Sequence, residues 1–201
     1  NEDNHEASHL AALIYLAMCS TGKDDCRLEE AEKYARASLR AKGDFREAKN
    51  TLGVVLIHAK KYDEAIGVLK PLSEDMLYQT PENAWGNLGW AYLEKGSLDA
   101  AIDALSRSVA AQPLFCVGNF RLGAALEKKK QYTEALEAYG RALETEAPAC
   151  KGLQDAFLGR GRVLVKLGRG ADAAADLRKC KELLPTSAAG KECSSILANL
   201  K

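Results

Sequence analysis

The residues of this chain best equipped for covalent chemistry are its six cysteines, Cys19, Cys26, Cys116, Cys150, Cys180 and Cys193. An even number can pair completely, which fits an oxidising compartment. Cys19 and Cys26 flank the segment "CSTGKDDC", where the ends of two antiparallel helices would bring α-carbons within the ~4.4–6.8 Å that a disulfide needs. Cys180 falls on one expected helix and Cys193 on the helix that packs against it, a second candidate pair. Cys116 and Cys150 are one repeat period apart. Equivalent points of neighbouring helix pairs stand about 10 Å apart, so a third bridge requires the residues inserted before Cys150 to close that gap. The alternative for all six is a set of small buried thiols, since free Cys packs well between helices. The close Cys pairs of a zinc site do not recur.

Other chemistry is sparse. His5 and His9 are one helical turn apart and could share a metal, but no further ligand accompanies them, and they read as solvent-facing residues of a terminal helix. His58 stands alone near an expected helix end. Gly159-Arg160-Gly161 lies within an expected helix rather than in a phosphate-cradling loop, and no nucleophile motif is present. The carboxylates occupy polar helix faces, and Lys128 to Lys130 read as a solvated helix turn. The expectation is a protein that is not an enzyme and uses no cofactor and no metal. Lys and Arg balance Asp and Glu at 28 each, so no field draws nucleic acid. No apolar run approaches the ~20 residues of a membrane-spanning helix. The sequence begins Asn-Glu-Asp-Asn without Met, and any signal peptide or lipid-bearing Cys would precede it.

The elements that must position these residues follow a repeat. With Glu82 as position 1, "WGNLGWAYLEKGSLDAAIDALSRSVAAQP" places Gly89 at 8, Ala101 at 20, Leu105 at 24 and Pro113 at 32. A step of 34 residues, starting at Cys116, reproduces the size classes with Leu122-Gly123, Ala135, Tyr139 and Ala142. Units with short insertions contain Leu52-Gly53, Ala65 and Leu69 upstream, and Gly161, Ala173, Leu177 and Pro185 downstream. Each unit reads as two antiparallel helices: small residues at 8 and 20 let the backbones approach, large ones fill the space, and Pro ends the second helix. The pattern resembles the tetratricopeptide repeat, through Trp85, Leu88-Gly89, Tyr92, Ala101 and Pro113.

The expected fold is therefore all-α: one solenoid domain over 1–201, a right-handed superhelix of antiparallel helix pairs at approximately 5–43, 44–75, 82–115, 116–147 and 152–185, closed by a capping helix at 186–200. Two connectors are enlarged, "PLSEDMLYQTPEN" and "EAPACKGLQ". In such a superhelix positions 2, 5, 9, 12 and 13 of the first helices line the concave side. They are Asn50, Val54, Ile57 and His58, then Asn83, Trp90, Leu93 and Glu94, then Val117, Phe120 and Ala124. This apolar lining suits an amphipathic or extended segment of a partner; the same residues could also be ordinary core. A carboxylate clamp of the co-chaperone kind is not expected, because Val54 and Val117 replace the Asn and Lys it needs although Asn87 and Arg121 are in place.

The connector Leu77-Tyr78-x-Thr80-Pro81-Glu82 leading directly into a repeat helix resembles the PilF/PilW/Tgl type of type IV pilus biogenesis proteins over about 44–145. That resemblance implies a non-enzymatic outer-membrane lipoprotein, a pilotin. It would face the periplasm, held by a lipid on a Cys upstream of Asn1, and help subunits of the pilus secretin reach the outer membrane and assemble. Its implied partner is the secretin subunit, and Tyr78, Thr80 and Pro81 are the residues carried over. The other reading is a generic repeat scaffold in a different periplasmic or cytosolic complex.

Overall fold

A computed structural model describes residues 4–21, 26–144, 150 and 152–200, the side chains of 20 and 21 excepted. Every regular element among them is a helix: α1 (His5–Thr21), α2 (Leu28–Ala41), α3 (Arg46–His58), α4 (Tyr62–Ser73), α5 (Pro81–Lys95), α6 (Leu98–Ala111), α7 (Cys116–Lys128), α8 (Tyr132–Glu144), α9 (Gln154–Lys166), α10 (Gly170–Leu183) and α11 (Ala188–Asn199). The protein is all-α, built of antiparallel helix pairs. It divides into two compact units, Asn1–Ala104 and Leu105–Lys201.

Local signals set the helix ends. Pro81 opens α5, where its missing N–H costs nothing. Gly96 closes α5 at φ 87°, its N–H reaching the Leu93 and Tyr92 carbonyls. The same turn recurs at Gly168 (φ 73°), and at Lys60 (φ 60°) and Lys130 (φ 65°) in side chains that tolerate this conformation less well. Ser187 caps α11 by accepting the Gly190 N–H at 2.9 Å. Pro71, expected at the start of a connector, instead lies within α4. Leu72 and Ser73 beyond it are buried, and Leu72 packs with Tyr78 and Ala84; that burial carries the helix past the ring despite the lost hydrogen bond.

The small residues at positions 8 and 20 do what their size suggests. A Cβ on Gly53 would lie 2.5 Å from Leu69 Cγ, one on Gly123 2.7 Å from Tyr139 Cδ1, and one on Gly161 2.8 Å from Leu177 Cγ. Their counterparts Ala65, Ala135 and Ala173 have no exposed surface. In the first unit Leu52, Leu56, Leu69 and Leu88 form the centre of the core, with Trp85, Trp90 and Tyr92 against it. In the second, Leu158, Leu164 and Leu177 surround Cys180 and Cys193.

All six cysteines are paired. Cys180–Cys193 fastens α11 to α10 with α-carbons 6.3 Å apart, and Cys19–Cys26 joins the end of α1 to the approach to α2. Cys116–Cys150, the pair that needed the insertion to close a gap, has α-carbons 5.9 Å apart.

Candidate partner-binding site

The residues expected to line a binding surface lie on α3 and α5 in the first compact unit and on α7 in the second, and each unit presents a different surface. In the first, α3 and α5 lie side by side and hold two cross-helix pairs. Asn87 Nδ2 donates to Asn50 Oδ1 at 2.9 Å, and the His58 ring meets the Trp90 ring edge-on, centroids 5.1 Å apart. Val54, Asn83 and Trp90 are half-buried, and His58 and Glu94 are exposed. This is an apolar strip flanked by amides, with an aromatic fixed by its imidazole neighbour.

Ile57 and Leu93 do not line this surface: only 3% and 5% of each is exposed, and Ile57 belongs to the core. Both occupy position 12. At about 100° per residue, position 12 points only about 40° from position 8, the site of closest contact with the second helix, so these side chains turn inward.

In the second unit Val117, Phe120 and Ala124 are half-buried along α7, with the Phe120 ring 6.2 Å from the Tyr139 ring. Further along α7 the surface becomes ionic. Glu127 accepts from Arg162 Nε (2.8 Å) and Nη2 (3.0 Å) and from Tyr139 Oη (2.7 Å), while Arg162 Nη1 donates to Glu192 on α11 at 3.1 Å. Burial, reinforced by the Glu127 charge, pushes the Tyr139 phenol well above its usual range, so it stays a donor. Hydrogen bonding to Glu127 holds Arg162 firmly charged. Sequence reasoning passed over Glu127 and Arg162, although the template puts them at positions 12 and 9 of successive units.

The connector motif is an internal clasp. Tyr78 is 7% exposed against Leu72 and Ala84, and burial raises its phenol. Asp75 accepts from Arg46 Nε at 2.7 Å and from the Leu77 N–H at 2.9 Å, and the Arg46 bond holds its carboxyl below the usual range. Thr80 precedes α5, and Pro81 is its first residue. The clasp leaves Met76 and Leu77 pointing outward, 97% and 67% exposed.

His5 and His9 are not simply solvent-facing. Both meet the Phe45 ring edge-on, at 5.0 and 5.1 Å, and His9 Nε2 is hydrogen-bonded to Thr51 Oγ1 at 2.9 Å. Among the described residues no group of three or more His, Cys, Asp or Glu could hold a metal ion. A cleft of about 390 Å³ in the second unit is walled by Leu136, Leu164, Arg160, Asp176, Arg169 and Asp172. Its charges satisfy one another: Arg160 grips Asp176 through two bonds of 2.6 and 2.7 Å, and Arg169 pairs with Asp172.

The profile of the tetratricopeptide repeat matches residues 27–70, 77–114 and 120–188, most of the sequence. The chain belongs to the tetratricopeptide repeat family. Solved structures share the fold of this tetratricopeptide-repeat protein. PilW, a widely conserved type IV pilus biogenesis factor, aligns with a TM-score of 0.77 at 22% identity, over 97% of this chain and 83% of its own. PilF of Pseudomonas aeruginosa aligns with a TM-score of 0.75 at 19% identity, over 96% and 82%. YrrB, a repeat protein with an unusual peptide-binding site, aligns with a TM-score of 0.64 at 17% identity, over 97% and 94%. No curated protein sequence matches the chain significantly. Among the described residues no helix is long and apolar enough to cross a membrane.

Proposed function

We propose that this protein is a non-enzymatic assembly factor of a type IV pilus machine, a pilotin. It promotes assembly and outer-membrane localisation of the secretin from the periplasmic face, attached to the membrane through an N-terminal lipid. The observation that carries the reading is likeness of fold to two pilus biogenesis proteins over nearly the whole chain, alongside the Tyr78-Thr80-Pro81 clasp. The three disulfides fit an oxidising periplasm. Half-buried Val54 and Trp90 in one unit, and Val117 and Phe120 in the other, each supply rigid apolar contacts for secretin segments. Half-buried Asn50 and Asn83 supply amides for a secretin backbone.

The test is secretin multimer formation in cells. Deletion of the protein should leave secretin monomer but no heat-stable multimer, and restoration of the lipidated full-length form should recover it. Changing Trp90 and Phe120 together to Gln should abolish rescue while the variant stays folded and oxidised. Normal multimers in the deletion strain would overturn the pilotin reading; normal rescue by the double variant would overturn the assignment of the surface. The likeness to YrrB favours a second reading, a peptide-binding scaffold in another complex. It predicts stable complexes with finished partners and unchanged secretin multimers.

A further inference from the structure

Helix α1 has the residues of an interior helix without the cover. With His5 as position 1, Ala12 takes position 8 and is fully buried, like the glycines there in later helices. Positions 3, 6 and 10 are Ala48, Thr51 and Val55 in α3, Ala84, Asn87 and Ala91 in α5, and Ala156, Gly159 and Val163 in α9, all buried. In α1 they are Ala7, Leu10 and Ile14, and all are exposed, Leu10 by 59% and Ile14 by 53%. Leu13, 40% exposed, and Ala17 widen the strip. The opposite end of the chain is treated differently. α11 turns Gly190 and Cys193 inward and leaves Lys191, Glu192, Ser195 and Asn199 exposed, the polar outer face that terminal elements of a solenoid require.

We infer that α1 is a self-association face, on which α1 of a second copy lies antiparallel about a two-fold axis. The strip is its own complement. Ala7, Leu10, Ile14 and Ala17 are spaced three, four and three residues apart, a small, large, large, small order that reads the same in both directions. Antiparallel pairing sets Leu10 against Ile14 of the other copy and Ala7 against its Ala17, and it opposes the two helix dipoles. Charge permits this occupant and disfavours an anionic lipid surface. Between His5 and Thr21 the one formal charge is Glu6, at the end of the strip, so two copies meet without like-charge repulsion. A membrane-lying helix would need Lys or Arg beside its apolar face, and α1 has neither. Exposed Glu29, Lys33 and Arg40 on neighbouring α2 provide a polar rim of mixed sign. The strip from Ala7 to Ala17 is about 15 Å long, short of the roughly 20–30 residues a side in a tight complex, so the dimer is weak and depends on concentration.

Sedimentation equilibrium of the 201-residue chain, from low micromolar to near-millimolar loading, tests this. The apparent mass should climb from 21.7 kDa towards twice that value. Leu10→Lys and Ile14→Glu, both at exposed positions, should each hold it at 21.7 kDa with the melting temperature retained. An equimolar mixture of the two variants should regain association, because the antiparallel register places the new charges opposite one another. A wild-type chain that stays monomeric throughout, or that shows affinity at this strip for foreign helices alone, would overturn the inference. So would variants that dimerise like wild type, or a mixture that does not associate.

Discussion

Gly159→Ala tests whether the second unit is fixed by the fit around Tyr139. This ring has no exposed surface and sits between glycines of two other helices. A Cβ on Gly123 would lie 2.7 Å from its Cδ1; one on Gly159 would lie 2.6 Å from its Oη and collide with Cζ. The ring cannot swing aside cheaply, because Oη is bound to Glu127, which Arg162 holds through two further bonds. In an open helix Gly→Ala stabilises by about 1 kcal/mol, whereas overpacking a fixed core costs roughly 1–3 kcal/mol and more at so close an approach. The clash wins, and a net loss of about 1–2 kcal/mol should lower the melting temperature by roughly 2–8 °C in a chain of this size. Gly140→Ala, one residue beyond the tyrosine on the same helix, is the control. Its new methyl would meet nothing within 4 Å, so it should raise the midpoint by about 2–4 °C. In a Tyr139→Leu background the penalty at Gly159 should vanish, giving a coupling of about 1 kcal/mol or more in a double-mutant cycle. A stabilising Gly159→Ala, or a cycle that closes additively, would refute the argument.

Further outcomes follow from other sites. Lys130→Gly should stabilise by up to about 1 kcal/mol in denaturant unfolding, because it relieves a side chain at φ 65° in the turn where Gly96 and Gly168 already stand. Removing the bridges one at a time as paired Ser substitutions should cost most at Cys116–Cys150 and least at Cys19–Cys26. Sequence separations of 34, 13 and 7 residues correspond to roughly 4, 3 and 2 kcal/mol of chain entropy. Burial lowers the His9 pKa, with Glu47 opposing, so the folded state binds its proton less readily than the unfolded chain. His9 therefore favours folding above the unfolded value of about 6.5. That preference is lost as pH falls through about 6.5 towards the lower folded value, and hydrogen exchange in α1 should quicken in that window for wild type and less for His9→Gln.

How much of this was legible in the sequence depended on whether contacts were local to the repeat. The helix pairs could be read because Gly53, Gly123 and Gly161 sit where a Cβ would strike Leu69, Tyr139 and Leu177, a requirement that recurs with the period. Partial exposure could be read at Val54, Trp90, Val117 and Phe120 but not at Ile57 and Leu93, where a rotation of about 40° decides between surface and core. Pro71 was misleading because its local effect was weighed without the burial of Leu72 against Tyr78. The histidines were misjudged for the same reason, since Phe45 and Thr51 reach them from another helix pair.

The connector motif and the surface it was linked to divide the work differently from what the pattern alone implied. Tyr78 faces into the protein against Leu72 and Ala84, and the half-buried Thr80 and Pro81 lead from it into α5, so that the motif sets the path from α4 to α5 and hence the placement of Trp90 two turns along α5. A partner therefore cannot read the buried Tyr78 side chain directly. Changes at Tyr78 should act on binding through the position of α5, with a loss of stability alongside. Changes at Met76 or Leu77, whose side chains project into solvent from the same clasp, can alter contact with a partner while the fold keeps its melting temperature. Comparing Tyr78→Leu with Met76→Ser in one assembly assay, with thermal unfolding measured on both, separates the two routes. A Tyr78→Leu variant that lost assembly at unchanged stability would show that the buried phenol has a role beyond the clasp.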